Sequence, residues 1–399
     1  MAARTSALSR RRSARGLSLI EIMVGVAIGL IGVVAIFQAV AVWTKHTQTT
    51  SSGGDAQVAG TLALFSIERD LKQAGHGFGT AGTPVMGCLV SITDSGPPAR
   101  PTFTFGLRPV EIAASGGGAP DQINVLYGDS SFYVDESLFT FSTAISKKLQ
   151  RRAGFKKGDL AVAAVNPGAS AATASCQLVE ITDDTDPDGY TVGHTDLQYA
   201  SYYHAASAAL VTPRFNTPAS APLATTGTMY NLGPQPVLNT WSIQGNRVLV
   251  RSEALQIQAA PDMQIAEGVI NLKAEYGYDT NANGRIDDGA GNAEWLTALP
   301  AGADWRRVLA VRIAVLVRSR QFERSADPSS SAALAATPSA SNPYYFGDPV
   351  NRKFLMTNVD GSPNSFADTD AVPNNWRYYR YRVYERVIPL RNLLWGTMP

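Results

Sequence analysis

The chain has 399 residues, of which 45% are hydrophobic and 17% charged, and this balance excludes an intrinsically disordered protein. Its formal net charge of +1 gives no overall attraction to nucleic acid or to an acidic membrane surface. The 35 glycines and 23 prolines interrupt short runs of strand-forming residues, which favours a body of short strands and many loops.

The N-terminus joins a basic stretch to a long apolar segment. Residues 1–16 contain five arginines and no acid, and the apolar run from Leu17 to Trp43 follows them. As a helix rising about 1.5 Å per residue, this run is roughly 40 Å long, which is enough to cross a bilayer. Because the arginines precede the span, we expect a cytoplasmic N-terminus and a periplasmic or extracellular remainder. The run is too long for an ordinary secretory signal, so we expect a retained anchor.

A single acid interrupts this apolar run. Glu21 lies near its start, where a carboxylate costs roughly 3 kcal/mol on membrane-insertion scales and commonly marks a functional group that has a partner. The alternative is a carboxylate that reaches the nearby membrane interface and has no role in function. The apolar span by itself leaves both interpretations open.

The segment from Gly16 to Glu21 resembles the prepilin cleavage motif, which has a glycine, an apolar residue and a glutamate at the fifth mature position. Leu17 stands where phenylalanine is commoner, and Ser18 where threonine is frequent. The resemblance implies that a prepilin peptidase of the inner membrane cuts between Gly16 and Leu17 and methylates the new Leu17 amine. It also implies that Glu21 pairs with the N-terminal amine of a neighbouring filament subunit. The chain would be the substrate of that protease and not an enzyme.

After the anchor, residues 44–75 are predicted to form an amphipathic helical stem. The apolar residues near helical spacing are expected to pack on the body: Val58, Leu62, Phe65 and Leu71. Gly53 and Gly54 are expected to loosen or break the helix, because glycine costs about 1 kcal/mol against alanine. Gly75 is expected to cap its C-terminal end.

The stretch from Ser66 to Gly79, followed by Gly87 and Cys88, resembles the end of the stem in PilW-like minor pilins of type IV pili. Short motifs at Tyr276–Asp279 and Leu390–Asn392 add to this resemblance. The J-type pseudopilins of type II secretion are a close second. The resemblance implies a minor pilin that helps to prime filament assembly, at or near the filament tip. Its implied partners are other minor pilins, the major pilin and a tip adhesin.

The predicted fold class is α+β, with a long N-terminal helix, transmembrane in its first half, packed on a mostly antiparallel, β-rich, pilin-like body. The predicted organisation is a leader at 1–16, a transmembrane helix at 17–43, a stem at 44–75 and a periplasmic or extracellular domain at 76–399. Strand-like runs are predicted in seven ranges: 121–128, 158–165, 175–182, 246–251, 268–279, 307–319 and 378–392. Two ranges are predicted as surface loops: 205–228 and 325–343.

The chain has two cysteines, Cys88 and Cys176, and both follow the apolar segment. Outside the cytoplasm they can form a disulfide, which would stabilise the fold by roughly 4 kcal/mol on a chain-entropy estimate. The alternative is a pair of buried free thiols.

A calcium loop is predicted between two strands. Oxygen-bearing side chains alternate at positions one, three and five, glycine stands at six, and a backbone carbonyl would bind at seven. The predicted ligands are Asp279, Asn281, Asn283, Arg285 through its carbonyl, and Asp287. Position twelve is Ala290, so the usual bidentate glutamate is missing, and Asp288 or Glu294 would need a different loop to replace it. A similar start at Asp184, Asp186 and Asp188 lacks ligands further on. The alternative for each is a polar turn between strands.

Other chemistry finds little support in the sequence. The final strand mixes arginine with tyrosine, as nucleic-acid-binding segments do. The alternation of residues along a strand explains this mixture without nucleic acid. Tyr379, Tyr381, Val383 and Val387 would share one face of the strand, and Arg380, Arg382 and Arg386 would share the other. The four histidines show no zinc-protease spacing, and neither a nucleophile elbow nor a phosphate-binding glycine loop is present. We therefore expect neither nucleic-acid binding nor catalysis.

Three interpretations of function remain at this stage. The first is a minor pilin anchored in the inner membrane, with a periplasmic body that joins the pilus after assembly. The second is a minor pseudopilin of the J type. The third is a membrane-tethered periplasmic binding module that never polymerises and uses its body to bind calcium or another ligand.

Overall fold

The computed structural model describes residues 18–81, 85–96, 99–115, 119–131, 136–151, 154–165, 175–185, 188–207, 209–216, 223, 226–245, 247–255, 262–287, 293–320 and 381–397. The chain divides into two compact units, Met1–Gly53 and Gly54–Pro399. The first unit contains the N-terminal part of the long helix α1. The second, called the body below, contains the rest of α1 and every described strand.

Helix α1 spans Leu19–Gln73, 55 residues in all, and it contains the predicted span and most of the predicted stem. The helix runs through Gly53 and Gly54, so the prediction that this pair breaks it is wrong, although the two compact units meet at the same pair. Gly75 lies just beyond the end of the helix with a φ of +80°, a left-handed conformation that glycine adopts without strain. The next N–H, that of His76, donates to the Gln73 carbonyl at the helix end at 3.0 Å, so the predicted cap is confirmed, and the Gly75 N–H donates to the Leu126 carbonyl at 2.9 Å.

The described strands pair only with antiparallel neighbours. In chain order they are β1 Leu89–Asp94, β2 Arg100–Gly106, β3 Val110–Ala113, β4 Gln122–Tyr127, β5 Ser137–Ser142, β6 Ser146–Leu149, β7 Leu160–Val165, β8 Ser175–Glu180, β9 Thr191–Gly193, β10 Tyr199–Ala200, β11 Leu210–Val211, β12 Gly227–Gly233, β13 Val237–Gln244, β14 Val248–Glu253, β15 Met263–Glu267, β16 Val269–Tyr278, β17 Trp295–Leu296, β18 Val308–Arg318 and β19 Tyr381–Pro389. A short helix α2, Arg391–Thr397, follows the last strand. The predicted α+β class is confirmed.

Three larger sheets make up most of the body. Their strand orders are β8-β7-β12-β5-β6-β9, β15-β14-β13-β4-β3 and β17-β16-β18-β19, and β1-β2 and β10-β11 form separate pairs within the described residues. Strand β7 is buried on both faces: Val162 faces the main core, which includes α1, and Ala161 and Ala163 face a second cluster. All seven predicted strand runs coincide with strands, namely β4, β7, β8, β14, β16, β18 and β19. The other described strands were not predicted: β1, β2, β3, β5, β6, β9, β10, β11, β12, β13, β15 and β17.

The stem packs through a face other than the predicted one. Val58, Leu62 and Phe65 are exposed, whereas Leu71 is buried as expected. The face that packs on the body is formed mainly by small and branched residues: Ala56, Gly60, Ala63, Leu64, Ile67 and Ala74. Small side chains permit the close approach of helix and sheet, and this is why the residues of largest volume do not mark the buried face.

Strand β19 also turns a different face to the core from the one predicted. The Tyr384 ring lies against Gly60 of α1, so close that an added Cβ on Gly60 would lie 2.2 Å from a ring atom. Ile388 is buried, and Val387, which was predicted to share the apolar face, is 52% exposed. The predicted alternation of two faces is therefore correct, but the face that packs on α1 is the opposite one. The helix presents Gly60 and Glu68 to the strand, and these residues contact Tyr384 and Arg386. Tyr379 and Arg380 lie outside the described residues.

The predicted loop at 205–228 is partly ordered structure. Leu210–Val211 pairs with Tyr199–Ala200, and Phe215 and Asn216 are buried. The Asn216 side-chain amide pairs with the backbone of Glu180, as a neighbouring strand would. Its oxygen accepts from the Glu180 N–H at 2.8 Å, and its nitrogen donates to the Glu180 carbonyl at 2.8 Å. The prediction of a purely superficial loop is wrong here. The other predicted loop, 325–343, lies outside the described residues.

Candidate assembly segment and its anchorage

The first part of α1 is an apolar helix whose described side chains are exposed. The helix from Leu19 to Thr44 is long and apolar enough to cross a membrane, and none of it is buried within the protein. Glu21 is the only charged residue in this stretch, and it lies in the first turn of the helix. A carboxylate at a helix N-terminus is favoured by the helix dipole. No hydrogen bond or ion pair joins the Glu21 side chain to another described residue.

The two predicted processing residues, Gly16 and Leu17, lie outside the described residues. The described chain begins at Ser18, whose carbonyl accepts a hydrogen bond from the Ile22 N–H at 3.1 Å. The cleavage between Gly16 and Leu17, the methylation of Leu17 and the role of Glu21 in assembly therefore stay predictions.

The second part of α1 holds a buried carboxylate that fixes the helix to the body. Asp70 is 1% exposed and accepts hydrogen bonds from the Asn239 amide at 2.6 Å and the Trp241 indole N–H at 3.0 Å. The Tyr127 hydroxyl donates to its other oxygen at 3.4 Å. Burial raises the pKa of Asp70, while its hydrogen bonds act in the opposite direction. Asp70 thus joins α1 to β4 and β13 through a set of donors that the sequence pattern did not reveal.

A second polar link joins α1 to β19. Glu68 pairs with Lys72 at 2.6 Å on the helix and with Arg386 on the strand. The hydrogen bond from Lys72 is the largest influence that lowers the pKa of Glu68, and burial partly offsets it. Arg386 was predicted to face away from the packed side, and its pairing with Glu68 reverses that orientation.

The disulfide predicted between Cys88 and Cys176 is present. It joins the residue before β1 to the second residue of β8, and the two Cα atoms lie 6.1 Å apart. The two cysteines are 88 residues apart in the chain, so the bond closes a long loop and restricts the unfolded chain strongly. Cys88 is buried in the main core, and the alternative of two free thiols is wrong.

The predicted calcium loop is held by its own side chains. Asp279 accepts from the N–H groups of Asn283 at 3.1 Å and Gly284 at 2.7 Å, and Asn281 accepts from the Asn283 N–H at 3.0 Å. Asn283 accepts from the Arg285 N–H at 2.9 Å and donates to Asp287 at 3.1 Å. These are the bonds of consecutive polar turns. The loop therefore keeps its shape through its own hydrogen bonds.

Glu294 was considered at the sequence level as a substitute ligand, and it is fully buried beside the loop. Its carboxylate accepts from the Thr280 N–H at 3.0 Å and from the Asp287 N–H at 2.7 Å. Within the described ranges, no group of three or more His, Cys, Asp or Glu residues is arranged to hold a metal ion. Asp288 and Ala290 lie outside those ranges, and calcium binding stays a prediction.

In the second acidic fragment, which begins at Asp184, two of the aspartates form ion pairs with lysines. Asp184 lies 3.8 Å from the Lys157 amine, and Asp188 lies 3.0 Å from the Lys148 amine. Asp188 also accepts from the Tyr190 N–H at 2.8 Å, and these contacts lower its pKa to about 2. Asp186 lies outside the described residues. The described contacts are those of a polar turn.

One buried pair was missed entirely by sequence reasoning. Lys147 on β6 is fully buried, and its amine lies 3.0 Å from Nε2 of His194. Burial lowers the pKa of Lys147 to about 8 and that of His194 to about 3, and the Lys147 charge adds to the second effect. The one available signal was the strand period, which places Lys147 on the same face as the buried Leu149.

Comparison with known families agrees with this geometry. A family described as the prokaryotic N-terminal methylation motif matches residues 11–37, a range that includes Glu21 and the beginning of α1. This match supports a type IV pilin-like protein of pilus assembly, and the apolar helix is suited to membrane anchoring. Residues 240–392 match the family described as Type IV Pilus-assembly protein W. No curated protein and no solved structure matches the chain.

The match confirms the PilW-like resemblance, but it lies in a different part of the chain from the one that the sequence analysis emphasised. The sequence had suggested the strongest likeness between Ser66 and Cys88, which lies outside both matched ranges. The matched residues 240–392 cover most of β13 and all of β14 to β19. They include the two short motifs at Tyr276–Asp279 and Leu390–Asn392 that also supported the resemblance. They therefore include the strands that carry Trp241 and Arg386, two residues that fix α1 to the body.

Proposed function

We propose that this protein is a minor pilin that takes part in the assembly and priming of type IV pili. One combination of features carries the proposal: a methylation motif leads into an exposed apolar helix with Glu21 as its only charge, and a PilW-like region follows. An unpaired carboxylate in an apolar helix requires an opposite charge, and a methylated N-terminal amine on an adjacent subunit supplies one. The role is structural, and no reaction is assigned to the chain.

The proposed life cycle has two stages. The chain is first inserted in the inner membrane with its body in the periplasm, where a prepilin peptidase removes residues 1–16 and methylates Leu17. The mature subunit then joins other minor pilins and the major pilin, at or near the tip, where an adhesin is a further partner. The disulfide between Cys88 and Cys176 is consistent with an oxidising compartment such as the periplasm.

Mass spectrometry of the mature N-terminus tests the first stage. We expect a chain that begins with methylated Leu17 when the peptidase is present and a full-length chain when a catalytically inactive peptidase replaces it. Gly16→Leu should leave the full-length form in the membrane, because a large side chain at the cut prevents the close approach of the backbone. Arg15→Lys, which preserves the leader charge, is the matched control. An unprocessed wild-type N-terminus, or a cut after residue 43, would overturn the proposal.

Incorporation into filaments tests the second stage. Glu21→Leu should be cleaved normally and be absent from sheared pili, because its partner amine loses the opposite charge. Gln38→Leu is the matched control, since it also replaces an exposed polar residue in the same apolar helix. Normal incorporation of Glu21→Leu would remove the role assigned to Glu21. Subunits that co-purify with the mature protein should belong to a type IV pilus, and exclusive recovery of type II secretion components would contradict the pilus assignment.

A further inference from the structure

One of the three larger sheets closes into a barrel. Its strand order is β8-β7-β12-β5-β6-β9, and the chain beyond β8 meets β9 through a bridge between Asp183 and Gly193. The two outer strands of this sheet are therefore joined to each other. The second hydrophobic cluster, which includes Phe139, Val179 and Met229, fills the space that the strands enclose. The body thus contains a small closed barrel with a core of its own.

Strand β9 closes the barrel and is its shortest strand, with three residues. It pairs with β6, and the junction includes hydrogen bonds from the His194 N–H to the Ile145 carbonyl and from the Leu149 N–H to the Tyr190 carbonyl, both at 2.8 Å. On its other side, β9 is held by the isolated bridge to the end of β8. Since a short strand has few backbone hydrogen bonds to lose, β9 is the part of the barrel that detaches at the lowest cost.

A buried pair of basic side chains lies at the junction of β6 and β9. Lys147 on β6 is opposite Val192 on β9, and His194 is two residues further along, so that the side chains of Val192 and His194 point to the same, inner side. The Lys147 amine lies 3.0 Å from Nε2 of His194 and 6.0 Å from the centre of the Phe139 ring. Lys147 is 0% exposed and His194 is 4% exposed. The backbone of His194 holds β9 to β6 while its side chain meets Lys147, so a displacement of this side chain acts directly on the junction.

Lys147 is the charged group that faces His194. Burial and, after it, the charge of Lys147 hold the pKa of His194 well below its ordinary value. The described acids of the adjoining segments have other partners or are exposed: Asp183 with Thr185, Asp184 with Lys157, Asp188 with Lys148, and Asp196 at the surface. A neutral imidazole can accept a hydrogen bond from the Lys147 amine, whereas a protonated imidazole has only donors to offer it.

From this geometry we propose that β9 is an acid-sensitive closing strand of the barrel. When His194 binds a proton, two positive charges lie 3.0 Å apart in a buried site, which is strongly unfavourable. The imidazole then moves to water, and β9 separates from β6. The main core remains folded, because its cluster contains neither Lys147 nor His194. This inference does not rest on the proposed function, and failure of the Gly16 or Glu21 tests would leave it unaffected.

The direction of the response follows from proton binding. In the open form His194 is in water, where its ordinary pKa is 6.5, and in the closed form its pKa is about 3. The open form therefore binds more protons between these two values. Opening becomes more favourable as the pH falls below about 6.5, by at most about tenfold per pH unit.

Hydrogen exchange followed by mass spectrometry tests the opening on the purified full-length protein in detergent. Protection factors, corrected for the intrinsic pH dependence of exchange, are compared at about pH 7.5 and about pH 5. Peptides that contain β9 should lose protection at least roughly tenfold at the lower pH, and there they should be at least roughly tenfold less protected than peptides from β16 and β18. Equal protection of β9 at the two pH values, or protection of β9 as high as that of β16 and β18, would overturn the proposal.

The pH profile of β9 identifies the group that titrates. In the wild-type protein, protection should begin to fall near pH 6.5 and approach a loss of about tenfold per pH unit below it. His194→Gln should remove this loss, because glutamine can accept from Lys147 and binds no proton, and His204→Gln, at an exposed position, should retain it. A decline that begins only below about pH 5, where carboxylates titrate, or one that persists in His194→Gln, would exclude His194 as the trigger.

A disulfide across the junction provides a structural test that does not alter the buried pair. Lys148 and Thr191 are opposite each other on β6 and β9, and Lys148 is exposed. Lys148→Cys together with Thr191→Cys should form a disulfide, verified by mass spectrometry, that keeps β9 protected at about pH 5. Lys148→Cys alone, which removes the same surface charge, should lose protection as the wild type does. An equal loss in the single and the disulfide-bonded double variant would show that β9 does not separate from β6, and the proposal would fail.

Discussion

The two parts of α1 show how one helix can meet two different environments. From Leu19 to Thr44 it is apolar on every side and no side chain is buried. From Ala56 to Ala74 one face is buried against the body, and the other remains exposed. Each part contains one carboxylate whose surroundings reflect this difference. No hydrogen bond or ion pair joins the Glu21 side chain to another described residue, whereas Asp70 accepts hydrogen bonds from residues on two strands.

This difference separates two sources of stability. The second part of the helix is stabilised by the chain's own core and polar contacts. The first part is not buried among the described residues, and its length and composition suit a membrane and, in our proposal, adjacent subunits. The body should therefore unfold and respond to mutation without loss of the apolar helix in detergent. The four predictions below use this contrast, in order of decreasing expected effect.

Removal of the disulfide should have the largest effect. Cys88→Ser together with Cys176→Ser should lower the unfolding free energy of the body by about 2–5 kcal/mol, because the unfolded chain loses a constraint over a long loop. Chemical denaturation followed by near-ultraviolet circular dichroism measures the change, and reduction of the wild-type protein should reproduce it. If the double variant and the wild type unfold at the same denaturant concentration, the disulfide has no part in stabilising the body.

Loss of Asp70 should detach the second part of α1 from its sheet. Asp70→Ala leaves the buried Asn239 and Trp241 donors without an acceptor and should cost about 3 kcal/mol. Asp55→Ala, at an exposed position on the same helix, should change the unfolding free energy by less than about 0.5 kcal/mol. Denaturant titration of both variants gives the comparison. Equal effects at the two positions would contradict the anchoring role of Asp70.

Glycine positions along the helix should respond in opposite directions. Gly60→Ala places a Cβ against the Tyr384 ring and should destabilise the body by about 1–3 kcal/mol. Gly54→Ala meets no atom within 4 Å and should stabilise the helix by up to about 1 kcal/mol. Thermal unfolding midpoints distinguish the two. A stabilising Gly60→Ala would show that β19 does not pack on this turn of the helix.

The buried Lys147–His194 pair should give the body, but not the apolar helix, a dependence on pH. The pKa of folded His194 is about 3, below its ordinary value of 6.5, so the unfolded chain binds more protons in that window. Stability should therefore fall as the pH decreases from 6.5, by at most about 1.4 kcal/mol per pH unit from this residue. Lys147, with a pKa of about 8 against 10.5, should add stability as the pH rises between those values.

A histidine comparison identifies the origin of this slope. His194→Gln should flatten the acid-side decline measured by denaturant titration at successive pH values, and His204→Gln, at an exposed position, should retain it. The helical signal of the first part of α1 in detergent should not follow either curve. An unchanged slope in His194→Gln would assign the acid sensitivity to other groups.

Much of the fold was accessible from local pattern. The anchor, the cap at Gly75 and the three longest strands, β16, β18 and β19, were predicted, because period-2 alternation, β-branched runs and a glycine at a helix end act within a few residues. Strand β13, with eight residues, was missed. The faces of α1 and β19 were not predicted correctly. Val58 and Phe65 looked like packing residues and are exposed, since the close approach of Gly60 to Tyr384 decides which face is covered.

The candidate site divides in the same way. The sequence by itself determined the apolar span, the lone Glu21 and the processing motif, because membrane insertion and recognition by a peptidase act on an extended segment. Only the tertiary structure decided that Asp70 accepts from Asn239 and Trp241 and that Lys147 is buried beside His194. These contacts join residues that are far apart in the chain. Their energies depend on how deeply each group is buried, and the burial of a group cannot be deduced from its neighbours in the sequence.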